Sequence, residues 1–183
     1  ARMDDGSTVS LVFIPKSEDV VFVAILGDSP VLVYDANGDL RISPMHNARS
    51  NEAELKAAKA RGAGFDGNYI FAHFSSGGIQ MTRVLGDREL SSVVNREPEI
   101  YAVKVGSSSI VIVGTDGLFD PTHRNVAPEA TIVAELVRDS RYSAADIVRM
   151  AELKPTHDNV TAIVVRFGNK KSRRKFKVKK ASA

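Results

Sequence analysis

The sequence of 183 residues contains no cysteine. It therefore forms no disulfide bonds and offers neither thiolate metal ligands nor a cysteine nucleophile. No apolar run approaches the roughly 18 residues that would span a bilayer, and the first residues do not show the pattern of a secretory signal. These absences predict an intracellular protein, cytoplasmic or nuclear, without a membrane partner.

The residues that are present fit one globular domain followed by a basic end. Apolar residues make up 43% and charged residues 26% of the chain, as in ordinary globular proteins. Eight of the 25 basic residues, and none of the acidic ones, fall within residues 169–183. The other 17 basic residues face 22 acidic residues, so the body carries about −5 although the chain carries +3. We therefore predict a domain over residues 1–168 and a basic tail over residues 169–183.

The basic tail has more than one interpretation. Its charge fits nuclear targeting, nucleic-acid binding or docking to an acidic partner. Phe176 is the one aromatic residue in the tail, so the tail offers almost no aromatic surface on which bases could stack. The simpler interpretation is a solvated, disordered segment.

Three carboxylates lie at the ends of strand-like apolar runs. Asp28 and Asp116 each follow such a run, whereas Asp158 precedes one. If the last strand runs antiparallel to the other two, all three carboxylates lie at one edge of a sheet. Oxygen ligands without cysteine suit Mg²⁺ or Mn²⁺. The alternative is that each Asp is simply a turn residue, because Asp and Asp-Gly are common in turns.

The local patterns predict a mixture of strands and helices. Alternating or continuous apolar runs indicate strands at residues 6–14, 19–26, 31–34, 40–43, 99–105, 108–113 and 159–167. Capping residues and charge placement indicate helices at residues 50–61, 128–138 and 143–153. We expect the second and third strands to form a hairpin, and the fifth and sixth another. The order favours an α+β domain with largely antiparallel sheets.

Short motifs along nearly the whole chain resemble the protein phosphatase 2C family of metal-dependent Ser/Thr phosphatases. Gly27-Asp28-Ser29 matches the family's Gly-Asp-Ser, and Asp158-Asn159-Val160-Thr161 is similar to its Asp-Asn-Ile-Thr. Met45 stands where the family usually has Asp, and Ala63 interrupts a Gly pair. The motifs follow the family order and lie at residues 6–8, 23–29, 42–47, 52–64, 81–87, 97–100, 113–120 and 158–161.

The resemblance implies a fold, an activity and a set of ligands. The fold would be an antiparallel β-sandwich flanked by helices, and the reaction would be hydrolysis of phosphoserine or phosphothreonine in proteins by a metal-activated water. Two catalytic Mn²⁺ or Mg²⁺ ions would be held in part by Asp116 and Asp158. Asp28 and Asp120 would belong to a third, weaker metal position beside Asp116. Arg83 would either contact the substrate phosphate or organise its neighbouring loop.

One departure from the family pattern concerns the start of the chain. The family's opening segment carries an Arg that grips phosphate and an Asp-Gly-His whose Asp bridges both metals, and neither is present. Asp5-Gly6 precedes Ser-Thr, so the register assigns it to a later strand. We therefore expect an N-terminally truncated domain with weak or no activity alone, and a partner copy or other packing over the exposed sheet. The alternative function is an inactive phosphatase-like binding or scaffold module.

Overall fold

The computed structural model describes residues 5–119, 126–154 and 158–168. Two compact units divide the chain. The first unit comprises Ala1–Val12, Val23–Pro30 and Ser43–Tyr101, and the second comprises Phe13–Phe22, Val31–Ile42 and Ala102–Ala183. Asp120 and the basic tail, for which the sequence made predictions, lie outside the described residues.

The described residues form nine strands and four α-helices, with a 3₁₀ turn at Arg88–Leu90. The strands are β1 (Val9–Phe13), β2 (Val20–Leu26), β3 (Val31–Tyr34), β4 (Leu40–Ile42), β5 (Gly64–Phe65), β6 (Ile70–Phe71), β7 (Glu99–Lys104), β8 (Ile110–Gly114) and β9 (Ala162–Arg166). The helices are α1 (Glu52–Ala60), α2 (Asp116–Phe119), α3 (Val126–Arg138) and α4 (Ala144–Glu152). This mixture confirms the predicted α+β class.

A four-stranded sheet belongs entirely to the second unit. Its strand order is β4-β3-β8-β9, and all its pairings are antiparallel. The two central strands consist mainly of β-branched residues, which pack well on a pleated surface. All four residues of β3 are buried, as are four of the five residues of β8. Burial on both faces explains why these strands read as continuous apolar runs rather than alternating ones.

The other sheets are smaller. Strands β1, β2 and β7 form a three-stranded sheet in that order, and β5 pairs with β6 antiparallel. In β2 the side chains of Val21, Val23 and Ile25 are buried. Leu11, Phe13, Phe22 and Ile100 of the three-stranded sheet are exposed. The predicted oligomer that would cover it stays a prediction.

Both predicted hairpins are wrong. β2 and β3 lie in different sheets, and so do β7 and β8. A strand has two hydrogen-bonding edges, and those of β3 are taken by β4 and β8, while those of β8 are taken by β3 and β9. The turn at Gly27, whose φ is +116°, therefore carries the chain from one sheet to another. The turn positions were correct, but the partners they join were not.

Local capping accounts for two of the helices. Asn51 caps α1, where its side-chain oxygen accepts a hydrogen bond from the Glu54 backbone N–H at 3.2 Å. Ser143 caps α4 through a capping box with Asp146, in which each side chain satisfies a backbone N–H of the other.

The apolar side of α1 packs into the core of the first unit, which includes Ala48, Ala58, Ile70, Val84, Leu90 and Val93.

Candidate metal centre

Asp116 follows the central strand β8 after one intervening residue, Thr115. It opens the short helix α2, whose Leu118 and Phe119 are completely buried. These two apolar anchors fix the start of the helix, and the Gly117 N–H donates to Asp116 Oδ1 at 3.0 Å. The sequence predicted only a turn here, although the Leu-Phe pair after Asp-Gly was the available signal for a buried helical turn.

The antiparallel pairing of β8 and β9 brings the Asp158 loop beside the Asp116 turn. Gly114, the last residue of β8, is opposite Ala162, the first residue of β9. The pairing continues one step further, because the Thr115 N–H donates to the Thr161 carbonyl at 3.1 Å. The antiparallel geometry assumed from the sequence is therefore confirmed for these two strands.

Close backbone contact shows how near the two carboxylate loops come. A Cβ built on Gly117 would lie 2.7 Å from the Asn159 carbonyl oxygen and 3.2 Å from Asp158 Cβ. Only glycine fits this approach without displacing the neighbouring loop. Asp158 is exposed and Asp116 is half-buried, so both carboxylates are accessible from solvent. The structure thus places Asp116 and Asp158 in touching loops.

Asp28 belongs to the first unit and follows β2, which lies in a different sheet from β8 and β9. The expectation that all three carboxylates lie at one edge of one sheet is therefore wrong for Asp28. Its side chain is buried, and Asn47 Nδ2 donates a hydrogen bond of 2.7 Å to Asp28 Oδ2. The amide of Asn47 is itself oriented, since its Oδ1 accepts from the Arg49 N–H at 2.9 Å. The sequence did not single out Asn47, because an isolated Asn carries no local signal of such a contact.

His46 holds the residue that precedes Asp28. Its backbone N–H donates to the Gly27 carbonyl at 2.9 Å, and its Nδ1 accepts from the Gly27 N–H at 3.1 Å. Nδ1 is therefore unprotonated, and the neutral ring carries its proton on Nε2, 3.5 Å from Glu99 Oε2. Burial, aided by the Arg83 charge, lowers the pKa of His46 below its ordinary value. These contacts give His46 a structural role, because they hold the backbone of Gly27.

Arg83 is engaged by an acidic side chain of α1. Its Nη2 donates to Glu54 Oε1 at 2.6 Å, and its Nη1 donates to the Glu97 carbonyl at 3.1 Å. Burial would raise the pKa of Glu54, but hydrogen bonds from Arg83 and Thr82 outweigh it and lower that pKa. This engagement favours a loop-organising role for Arg83. Its contact with substrate phosphate stays a prediction.

Asp116 and Asp158 have the ligand chemistry that a hard cation prefers, but two carboxylates are too few to hold one. Asp116 and Asp158 supply oxygen donors of the type that Mg²⁺ and Mn²⁺ prefer. Within residues 5–119, 126–154 and 158–168, however, no three His, Asp or Glu side chains are grouped closely enough to hold a metal ion. The described residues thus bring together two candidate ligands, and a cation site built on them stays a prediction. None of the described helices is long and apolar enough to cross a bilayer.

Comparison with known proteins identifies the class. The family model described as Protein phosphatase 2C matches residues 1–160. The chain belongs to the protein phosphatase 2C family, as the motif order had indicated. Members of this family are phosphatases that depend, in general, on metal ions.

Relatives of known name place the chain within that class. It is 30% identical over 173 residues to the probable protein phosphatase 2C 71 of Arabidopsis thaliana, covering 92% of this chain and 36% of the relative. It is 28% identical over 168 residues to the probable protein phosphatase 2C 59 of Oryza sativa, covering 90% of this chain and 48% of the relative. The chain thus spans less than half the length of either plant protein.

Solved structures confirm the fold. A sex-determining protein of C. elegans matches with a TM-score of 0.66 at 25% identity, over 87% of this chain and 40% of that one. The serine-threonine phosphatase 2C of Toxoplasma gondii matches with a TM-score of 0.63 at 21% identity, over 87% of this chain and 57% of that one. The predicted α+β fold of the phosphatase 2C type is therefore correct.

Proposed function

We propose that this chain carries a divalent-cation site of a phosphatase that hydrolyses phosphoserine and phosphothreonine in proteins. The observation that carries the proposal is the contact between the Asp116 turn and the Asp158 loop. Membership of the protein phosphatase 2C family supplies the reaction class. A turn residue alone would not need its neighbour to be glycine, whereas here Gly117 permits two acidic loops to meet.

The two carboxylates would bind Mn²⁺ or Mg²⁺ as part of a site for two catalytic ions. Such ions supply a nucleophilic water at neutral pH and offset charge on the phosphoryl oxygens. The chain's own contribution is to orient Asp116 through the buried side chains of α2 and Asp158 through the start of β9. We extend the proposal to a third cation position that would use Asp28 and Asp120.

Turnover by these 183 residues alone should be weak. The sequence carries no Asp-Gly-His segment, and the chain spans only part of the length of its relatives. The test measures phosphate released from a phosphothreonine peptide in Mn²⁺, with Asp116→Asn as the control. Slow, Mn²⁺-dependent release that Asp116→Asn abolishes supports the proposal. Release that is unchanged by Asp116→Asn and by chelation contradicts it.

A second candidate function is a phosphatase-like binding or scaffold module. It is favoured by the finding that, among the described residues, no three potential ligands are grouped. A module of this kind would bind a phosphopeptide without releasing phosphate. Fluorescence anisotropy of a labelled phosphopeptide, measured beside the turnover assay, separates the two functions.

The remaining parts of the proposal concern the setting of the protein. A phosphoprotein substrate follows from the proposed reaction, and an intracellular site of action, cytoplasmic or nuclear, agrees with the absence of cysteine. Residues 169–183 would contact nucleic acid or an acidic partner through their basic side chains. Binding to duplex DNA as salt is raised, with and without those residues, tests this role.

A further inference from the structure

One side chain, that of Thr115, joins the Asp116 turn to the Asp158 loop. Thr115 Oγ1 donates to the Asn159 carbonyl at 3.0 Å and accepts from the Thr161 N–H at 3.0 Å. The direction of each bond is fixed, because a backbone N–H can only donate and a carbonyl can only accept. The hydroxyl therefore uses its proton toward Asn159 and a lone pair toward Thr161.

This hydroxyl acts where the backbone pairing ends. The last backbone hydrogen bond between the two segments joins the Thr115 N–H to the Thr161 carbonyl. Beyond it, Asn159 lies between the paired segment and Asp158. Because Asn159 is bonded directly to Asp158, holding the Asn159 carbonyl also restricts the backbone of Asp158. The side chain of Thr115 thus extends the pairing to the residue next to the candidate ligand.

The Asn159 carbonyl is held close to the Asp116 turn. Thr115 holds it beside the end of β8 through a hydrogen bond of 3.0 Å. The approach is close, since a Cβ added at Gly117 would lie only 2.7 Å from the same oxygen. The hydrogen bond from Thr115 resists separation of the two loops, and the missing side chain of Gly117 leaves room for the short distance between the Asp116 turn and the Asp158 loop.

We propose that the Thr115 hydroxyl is the positioning group that sets the separation of the Asp116 and Asp158 carboxylates. The inference rests on the proposed function, because those carboxylates are the candidate cation ligands. Groups that orient ligands from outside the coordination sphere typically change metal affinity by about 10–100-fold when removed. Loss of this hydroxyl should therefore weaken Mn²⁺ binding by at least about tenfold.

The test compares three variants of the full 183-residue chain. Thr115→Val removes the hydroxyl at nearly constant shape, and Thr115→Ser keeps it. Thr161→Val makes the same change on the exposed side chain just before β9 and retains the backbone N–H used by Thr115. Mn²⁺ affinity is measured by the electron paramagnetic resonance signal of the free ion. Hydrogen exchange of the Thr161 amide, measured by NMR without metal, reports directly on the hydrogen bond from this amide to Thr115 Oγ1.

The inference expects both readouts to change in Thr115→Val alone. Mn²⁺ affinity should fall by at least about tenfold and the Thr161 amide should exchange faster, while Thr115→Ser and Thr161→Val stay near the parent. If the hydroxyl were merely stabilising, Thr115→Val would lower the free energy of unfolding and leave Mn²⁺ affinity unchanged, which would overturn the inference.

Failure of the proposed function has a different signature. In that case the parent chain and Asp116→Asn would bind Mn²⁺ equally poorly. The positioning role is then decided by the metal-free readout, in which unchanged protection of the Thr161 amide in Thr115→Val overturns it. Lost protection in that variant would support the positioning role of Thr115 and would reject only the proposed cation site.

Discussion

Replacing Gly117 by alanine should push the two acidic loops apart. The new Cβ would lie 2.7 Å from the Asn159 oxygen, whereas an ordinary van der Waals contact begins at 3.4 Å. The carbonyl must therefore retreat by about 0.7 Å, because close-packed atoms do not overlap. Overpacking of this kind costs about 1–3 kcal/mol of unfolding free energy.

The same displacement should affect cation binding more than stability. Metal–ligand distances in proteins are held within about 0.2 Å, so a shift of about 0.7 Å in the residue next to Asp158 disrupts coordination. We expect Mn²⁺ affinity to fall by at least about tenfold in Gly117→Ala. Urea unfolding and Mn²⁺ titration by electron paramagnetic resonance measure the two effects on the same sample.

A matched control lies in the same unit. A Cβ on Gly106 would meet its nearest neighbour at 3.7 Å, an ordinary contact. Gly106→Ala should therefore leave Mn²⁺ affinity unchanged and alter the unfolding free energy by less than about 1 kcal/mol. If Gly117→Ala matched this control in both measurements, the account of the crowded contact would be refuted.

Two further predictions concern the first unit. Glu54→Gln removes the charge partner of Arg83 and should lower the unfolding free energy at neutral pH by about 2 kcal/mol. Because hydrogen bonds lower the pKa of Glu54, its contribution is present above pH 4.5 and is lost as pH falls through the lowered value. Urea unfolding across this range should show the loss of unfolding free energy in the parent and not in Glu54→Gln. Equal stability of the two proteins at neutral pH would contradict this prediction. The pKa of His46 should lie below 6.5, so its contribution to stability is present above pH 6.5 and declines in acid. NMR titration of the ring decides this, and a pKa at or above that value would reject the buried neutral imidazole.

Local elements were predictable from the sequence because their signals are local. The run at Val31–Tyr34 became β3 with the expected bounds, since β-branched residues favour buried strands. Asn51 and Ser143 cap helices, as short polar residues before apolar periodic segments usually do. The chemistry at each of these positions depends on residues only a few places away.

Sheet partners were not predictable in the same way. Val31 pairs with Val113 rather than with its neighbour in sequence. The choice between a local hairpin and a distant partner depends on which edges remain available after the whole sheet has formed. No turn motif carries that information, so both hairpins were assigned to the wrong partners.

The candidate site was predictable in part. The proximity of Asp116 and Asp158 follows from antiparallel strands ending at one edge, which the order of strand and carboxylate already indicated. The roles of Thr115 and Asn47 were not visible, because a polar residue beside a strand end has many ordinary functions. Their importance depends on contacts with Asn159 and Asp28, at 3.0 and 2.7 Å, which only the folded chain reveals.

The most direct test of the account is to locate Mn²⁺ by anomalous diffraction from crystals of the chain soaked in that ion. We predict an anomalous peak in direct contact with carboxylate oxygens of both Asp116 and Asp158, and its loss in Asp116→Asn. A saturating soak that leaves both carboxylates without a metal, or a peak that persists unchanged in the variant, would contradict the central claim.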